Sequence, residues 1–282
     1  MQTTIQYIEN ELKELYPARE INSFCRLIIE SVYGLSYTEQ MLRKHEELDG
    51  IKFPEVREIV NRLKAFEPVQ YILGETGFYD LKLKVTPSVL IPRPETEELV
   101  AWILEENTTS HARILDVGTG SGCIALALQK GLPQAEVAGI DISARALQTA
   151  RENAQRNKLD VKFFQQDILD WRSVEWEEFD VIVSNPPYVR ESEKKLMDDN
   201  VLKYEPKDAL YVSDNDPLIF YRTIAEFAKE KLKENGRMFF EINEYLALEM
   251  GDMLKHFGFK SVECRKDLSG RDRMMACTKI SN

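Results

Sequence analysis

The sequence predicts an α/β protein, a doubly wound parallel sheet preceded by a small helical bundle. Three observations carry that expectation. From His111 onward, short apolar runs alternate with stretches of helical period. A glycine-rich turn, Asp116-Val117-Gly118-Thr119-Gly120-Ser121-Gly122, lies where the first of those runs meets the first of those stretches. Roughly the first 75 residues, by contrast, show the helical period alone.

In chain order, Ile5, Ile8, Leu12 and Leu15 mark an opening helix that Pro17 ends. Ile21, Phe24, Cys25, Ile28, Ile29 and Val32 form a second apolar stripe, closed by Gly34. A third helix is expected over 37–48, opened by Ser36 or Tyr37-Thr38, and a fourth over 54–66 with proline near its first turn. No catalytic group stands out in this bundle. The pattern changes at Glu67-Pro68. Gly74 and Gly77 punctuate a turn, and Phe78-Tyr79 and Leu81 to Val85 then alternate as a hairpin would. Pro92 and Pro94 keep the next stretch extended until a helix over 95–106 can start. Arg93, between those prolines, reads either as a surface cation or as one facing a site.

In the α/β part, strands are expected over 112–117, 135–140, 161–166, 179–184 and 237–242. Helices over 121–130, 143–156, 217–231 and 245–256 alternate with them. Two last strands, 259–264 and 273–278, joined by a turn at Gly270, predict a terminal antiparallel hairpin. Only 189–216 is long and irregular, and a loop of that length is more often functional than accidental. Three parts follow: a helical domain (1–75), a hairpin and extended linker (76–92), and an α/β domain (93–282).

Composition narrows the function classes. The chain has 282 residues, 43% hydrophobic and 30% charged, the balance of a soluble globular protein. A formal charge of −11 gives no general attraction for a polyanion, so no nucleic-acid substrate is expected. Cys25, Cys123, Cys264 and Cys277 are far apart, and His45, His111 and His256 are scattered. Neither a metal site nor a disulfide framework is expected from such spacing. The N-terminus lacks a basic region followed by an apolar core, and no apolar run reaches membrane-spanning length. A cytoplasmic protein with reduced thiols is the expectation.

The glycine turn points to a ligand. Glycines there let the backbone turn sharply and let a ligand approach main-chain N–H groups at a helix start. A dinucleotide-binding turn needs G-x-G-x-x-G, but Cys123 occupies the third glycine's slot and Gly122 comes one position early. The spacing instead resembles the D/E-x-G-x-G-x-G loop of S-adenosylmethionine-dependent methyltransferases. Gly118, Thr119, Gly120, Ser121 and Gly122 would then form a close-packed shelf rather than an anion cradle. Asp141, ending the next strand about twenty residues on, suits the two ribose hydroxyls. Asp167 ends the strand after that and suits an adenine amine, with Ile168 packing on the ring. For either acid the alternative is a helix cap. Crevices form at the carboxyl ends of parallel strands, so these residues and Asn185 are expected along one edge.

Ser184-Asn185-Pro186-Pro187-Tyr188 follows the apolar run Phe179 to Val183 and is a stiff corner, because each proline fixes φ and removes a donor. An ordinary strand-ending turn is the alternative. Beside a methyl donor the corner acquires chemistry. The Asn185 side-chain oxygen and the Pro186 carbonyl could each accept one hydrogen of an –NH2 group, and Tyr188 could pack over a flat substrate. Such nitrogens are weakly nucleophilic because the lone pair is delocalised, so orientation would supply much of the rate.

The corner and the glycine loop together resemble amino-group methyltransferases, DNA adenine enzymes among them. Three further stretches narrow the likeness: Glu67-Pro68-Val69-Gln70-Tyr71-Ile72-Leu73-Gly74, Leu90-Ile91-Pro92-Arg93-Pro94-Glu95-Thr96-Glu97, and Gly270-Arg271-Asp272-Arg273. Over nearly its full length the chain resembles the bacterial peptide chain release factor glutamine methyltransferases, the HemK/PrmC family. The resemblance implies a seven-stranded Rossmann-like methyltransferase domain behind an N-terminal helical domain and a β-hairpin linker. It implies methyl transfer from S-adenosyl-L-methionine, leaving S-adenosyl-L-homocysteine, to the glutamine amide of the release factor Gly-Gly-Gln loop. Asn185, Pro186, Pro187 and Tyr188 match the family's substrate-amide site, and Gly118 to Gly122 with Asp141 match its cofactor site. Ile168 stands where some members carry an aromatic, and Pro217 where many have glycine. Two other substrates fit the same corner: a ribosomal-protein glutamine, and an adenine amine in DNA or RNA, which would require base flipping and backbone-binding cations.

Overall fold

The computed structural model of the chain describes residues 1–106, 109, 111–197 and 199–280. The chain forms two compact units, one from Met1–Gly74 joined by the helix Asp199–Tyr204, the other from the rest. Among the described residues no helix is long and apolar enough to cross a membrane.

In the first unit the helices are α1 (Gln2–Leu12), α2 (Ala18–Tyr33), α3 (Tyr37–Leu42), α4 (Phe53–Lys64) and α5 (Val69–Leu73). Ile8 and Leu12, Phe24 and Ile28, and Val56, Val60 and Leu63 meet in one core, as their helical spacing requires. Ser36 caps α3 in a capping box with Glu39. That helix stops at Leu42 rather than continuing to 48. Its one buried residue is Gln40, while Met41 and Leu42 are exposed, so no apolar burial rewards extending it. The stretch 67–74 is a short helix, α5, closed by Gly74 at φ 74° and preceded by a two-pronged Arg62–Glu67 pair. The Tyr204 hydroxyl donates to the Ala65 carbonyl at 2.8 Å, tying the later helix to this unit.

The second unit opens with an antiparallel hairpin, β1 (Glu75–Phe78) and β2 (Leu81–Lys84). Its two-residue turn places Tyr79 and Asp80 at positive φ, the twist that tight hairpins favour. There follow α6 (Pro94–Glu105), β3 (Arg113–Val117), α7 (Cys123–Gly131), β4 (Glu136–Asp141), α8 (Ala144–Asn157), β5 (Lys162–Gln165) and β6 (Phe179–Ser184). Then come β7 (Val189–Arg190), α9 (the helix Asp199–Tyr204 of the first unit), β8 (Tyr211–Val212), α10 (Ile219–Lys231), β9 (Leu232–Glu241), α11 (Ala247–His256), β10 (Lys260–Lys266) and β11 (Asp272–Thr278).

Seven strands form one sheet in the order β10-β11-β9-β6-β3-β4-β5. Its pairs from β9 to β5 are parallel, and β11 runs antiparallel to both β9 and β10, as the terminal hairpin predicts. Alternate residues of β3 feed the two faces: Ile114 packs into one core, Leu115 and Val117 into the other. From β3 the chain winds to β4 and β5 on one side, then returns to place β6 on the other. That reversal opens a crevice at the carboxyl ends of β3, β4 and β6.

Residues 189–216 are not the irregular loop the sequence suggests. They hold two short 3-10 turns, Glu191–Leu196 and Lys207–Ala209, with α9 between them, and the parallel pair β7–β8. Strands of two residues carry no readable alternation.

Candidate active site

A cavity of about 430 Å³ opens at the carboxyl edge of the second unit's sheet. Every glycine-loop residue from Gly118 to Ser121 lines it, with Asp141, Asp167, Ile168, Asn185, Pro186 and Pro187. The sequence-predicted residues therefore converge, with two exceptions. Gly122 lies behind the wall, where an added Cβ would come within 3.2 Å of both Ala150 and Phe163. Its φ of 82° also excludes ordinary residues, so this glycine serves packing and the turn.

The loop is held by its own chain. Gly118 and Thr119 N–H groups both donate to the Ile140 carbonyl at 2.9 Å, binding the loop to β4. The Thr119 hydroxyl donates to Asp116 Oδ2 at 2.6 Å, and the Ala125 N–H reaches the same oxygen. Asp116 is completely buried, and that burial lifts its carboxyl from 3.8 to about 7. Asp141 Oδ2 accepts from the Gly120 N–H at 2.9 Å and Oδ1 from the Ser143 N–H at 2.8 Å. Burial pushes the Asp141 carboxyl up too, and the two backbone donors pull it back. Asp167 does act as a cap, accepting from the Leu169 N–H at 2.8 Å, while also lining the cavity.

This shelf fits S-adenosylmethionine. Space above Gly118 and Gly120 is open, with nothing within 4 Å of an added Cβ. Each Asp141 oxygen holds one backbone donor and keeps a lone pair for a ribose hydroxyl. Ser121 lines the cavity, and its buried Oγ has no hydrogen-bond partner among the described residues, leaving polar capacity in the floor. Ile168, buried to 8% exposure, offers an aliphatic flank for a purine.

The corner is anchored from β6. The Ser184 hydroxyl donates to the Val117 carbonyl at 2.7 Å, so the residue before Asn185 is bolted to β3. Asn185 is half-buried, and its Nδ2 donates to Thr96 Oγ1 at 3.4 Å. Thr96 in turn donates to Glu241 Oε2 at 2.6 Å. Tyr188 is the second exception. It was expected to pack over a substrate, yet it does not line the cavity, and its hydroxyl donates to Glu241 Oε1 at 2.9 Å. The Asn243 side chain also holds the Tyr188 carbonyl at 3.0 Å. Directly after Pro186-Pro187 the side chain points toward β9, and burial with the nearby carboxylate raises its phenol far above the ordinary range. Tyr188 is thus tied to β9 and to Asn243, behind the cavity wall.

Thr96 and Glu241 were missed by sequence reasoning. Thr96 belongs to the stretch 90–97 but was given no role there. Glu241 is the last residue of β9 and obeys the strand-end rule that singles out Asp141 and Asp167. Burial raises its carboxyl, an effect the Thr96 and Tyr188 hydroxyls and the Arg273 guanidinium oppose. Arg93 is resolved in favour of the site: it lines the cavity and pairs with buried Glu205, whose other oxygen accepts from the Ile91 N–H at 3.2 Å.

Comparison with known proteins identifies the family. Residues 96–204 match the methyltransferase small domain family, and residues 3–74 match the PrmC N-terminal domain family. A release factor glutamine methyltransferase of Flavobacterium psychrophilum is 46% identical over 268 residues, 94% of each chain. One of Bacteroides thetaiotaomicron is 42% identical, covering 97% of this chain and 98% of its own. Among solved structures, a Pyrococcus furiosus methyltransferase superposes with a TM-score of 0.56 at 19% identity, covering 80% of this chain and 99% of its own, a likeness of fold. With identity above 40% over 94% or more of both sequences, the chain belongs to the release factor glutamine methyltransferase family.

Proposed function

We propose that the protein transfers a methyl group from S-adenosylmethionine to the side-chain amide nitrogen of the glutamine in the Gly-Gly-Gln loop of peptide chain release factors. The observation that carries this reading is the Asn185 amide, presented at the cavity wall next to the glycine shelf with its Nδ2 end already engaged by Thr96. When bound, S-adenosylmethionine supplies a methyl group activated by its sulfonium. Gly118, Thr119, Gly120 and Ser121 form the shelf beneath it, with Gly122 holding the turn. Asp141 takes the ribose hydroxyls, while Asp167 and Ile168 border the adenine.

Asn185 Oδ1 and the Pro186 carbonyl accept the two amide hydrogens and present the nitrogen's face to the methyl group. Pro186 and Pro187 keep those acceptors in place by fixing the backbone. Tyr188 acts from behind, through Glu241. No strong base is required, since the amide nitrogen becomes acidic once methylated and releases its proton to solvent. The helical unit of residues 1–75 serves release factor recognition, with 76–92 as the linker to the catalytic domain. The reaction is placed in the cytoplasm, where release factors act.

The test incubates the protein with labelled S-adenosylmethionine and recombinant release factor, either wild type or with the loop glutamine changed to alanine. Label on the wild-type factor alone supports the proposal. Equal label on both factors, or label only on a ribosomal protein or on DNA, overturns it.

A further inference from the structure

We propose that Thr96 and Glu241 form a hydroxyl relay that sets which end of the Asn185 amide faces the substrate, making Thr96 a positioning residue. The proposal rests on the amide reading of the acceptor given above. An asparagine side chain has two ends of nearly equal shape, one an acceptor and the other a double donor. A half-turn about its last torsion exchanges them. A substrate –NH2 needs the oxygen end, and nothing in Asn185 itself decides the choice.

The neighbours decide it. Glu241 accepts at both oxygens, from Thr96 Oγ1 at 2.6 Å and from the Tyr188 hydroxyl at 2.9 Å. Thr96 has a single hydroxyl hydrogen and spends it on Glu241. Toward Asn185 it can therefore only accept, and Asn185 Nδ2 lies 3.4 Å away. Oδ1 is left facing the cavity. Thr96 and Glu241 are each only 2% exposed, so bulk water does not scramble the order.

The local sequence suits the task. Pro94 opens α6 directly before Glu95 and Thr96, and the β-branched side chain of Thr96 has few rotamers in a helix. On the far side, Arg273 contributes a favourable charge to ionised Glu241, and Tyr221 donates its hydroxyl to the Glu241 carbonyl at 3.1 Å. A reversed Asn185 would set its –NH2 against the substrate's –NH2 and its oxygen against the Thr96 lone pairs. Both contacts would be lost together.

The experiment uses the full chain and three variants. Thr96→Val keeps the shape and removes the relay, Thr96→Ser keeps the hydroxyl, and Glu241→Gln breaks the acceptor-only rule from the other end. For each, kcat and KM are measured on release factor, Kd for S-adenosylhomocysteine by calorimetry, and competition by loop peptides ending in Gly-Gly-Gln or Gly-Gly-Glu. Wild type should prefer the glutamine peptide, because two acceptors repel a carboxylate. Thr96→Val should lose about tenfold to hundredfold in kcat, the scale of one misdirected buried hydrogen bond, and its peptide preference should shrink by about tenfold. Cofactor affinity should stay within about twofold, and Thr96→Ser should recover to within about threefold of wild type.

Should Thr96→Val fail to fold, Glu241→Gln must show the same shrunken preference. Unchanged kcat and preference in Thr96→Val overturns the relay. So does a fall in kcat shared equally by Thr96→Ser with the preference intact, which marks a structural role. A wild-type enzyme that ignores glutamine but methylates another –NH2 group overturns the substrate reading alone, and the relay is then read from Thr96→Val turnover on that group.

Discussion

Changing Asp116 to asparagine should make the protein more stable at alkaline pH and leave that advantage far smaller in acid. Asp116 is completely buried, with Oδ2 accepting from Thr119 and Ala125 and Oδ1 without a hydrogen-bond partner among the described residues. Burial is the chief cause that lifts its carboxyl from 3.8 to about 7; the two hydrogen bonds oppose it and the charge of Asp141 adds to it. The folded state thus holds this proton more tightly than the unfolded chain does. Stability from the neutral carboxyl is complete below the unfolded value and is lost as pH rises toward and through 7. Well above pH 7 the loss is about 4 kcal/mol, of which about 2–3 kcal/mol falls between pH 5 and pH 8. Asparagine keeps an oxygen for Thr119 and Ala125 and never ionises. Urea unfolding of both proteins at pH 5 and pH 8 tests this, since groups common to the two cancel in the difference. The variant's stability relative to wild type should rise by about 2–3 kcal/mol between those pH values. A difference that does not move with pH would refute the buried-charge account of Asp116.

Three other outcomes follow from the same edge of the sheet. Asp141→Asn leaves one oxygen to serve two backbone donors, Gly120 and Ser143, besides a ribose; Kd for S-adenosylhomocysteine should rise by about tenfold to hundredfold by calorimetry. Gly122→Ala sets a Cβ at positive φ within 3.3 Å of Ala150, Phe163 and Leu126, which should cost about 2–4 kcal/mol and lower the melting temperature measured by calorimetry. Asn185→Ala should abolish methyl transfer while weakening S-adenosylhomocysteine only modestly; undiminished turnover would remove the two-acceptor clamp.

What could be read in the chain is what local pattern and the strand-end rule encode. Gly118 to Gly122 and Asp141 follow directly on an apolar run, and Asn185 and Asp167 come one and two polar residues after one, so their place at the carboxyl edge is written close beside them. Thr96 is not beside a strand. Its hydrogen bond to Glu241 spans 145 residues, and only the packing of α6 against β9 brings the pair together. Tyr188 shows the opposite failure: adjacency to Asn185 suggested contact with a ligand, yet a stiff Pro-Pro turn sends the side chain toward Glu241. The same long-range carboxylate therefore engages one residue that the sequence reading passed over and one that it placed at the substrate. Glu241 ends its strand as Asp141 and Asp167 end or follow theirs, but it binds hydroxyls of its own chain on both oxygens. A strand-end acid can thus serve a site from behind its wall. Whether it faces ligand or scaffold is decided by which hydroxyls reach it first, and those come from elements far away in the chain.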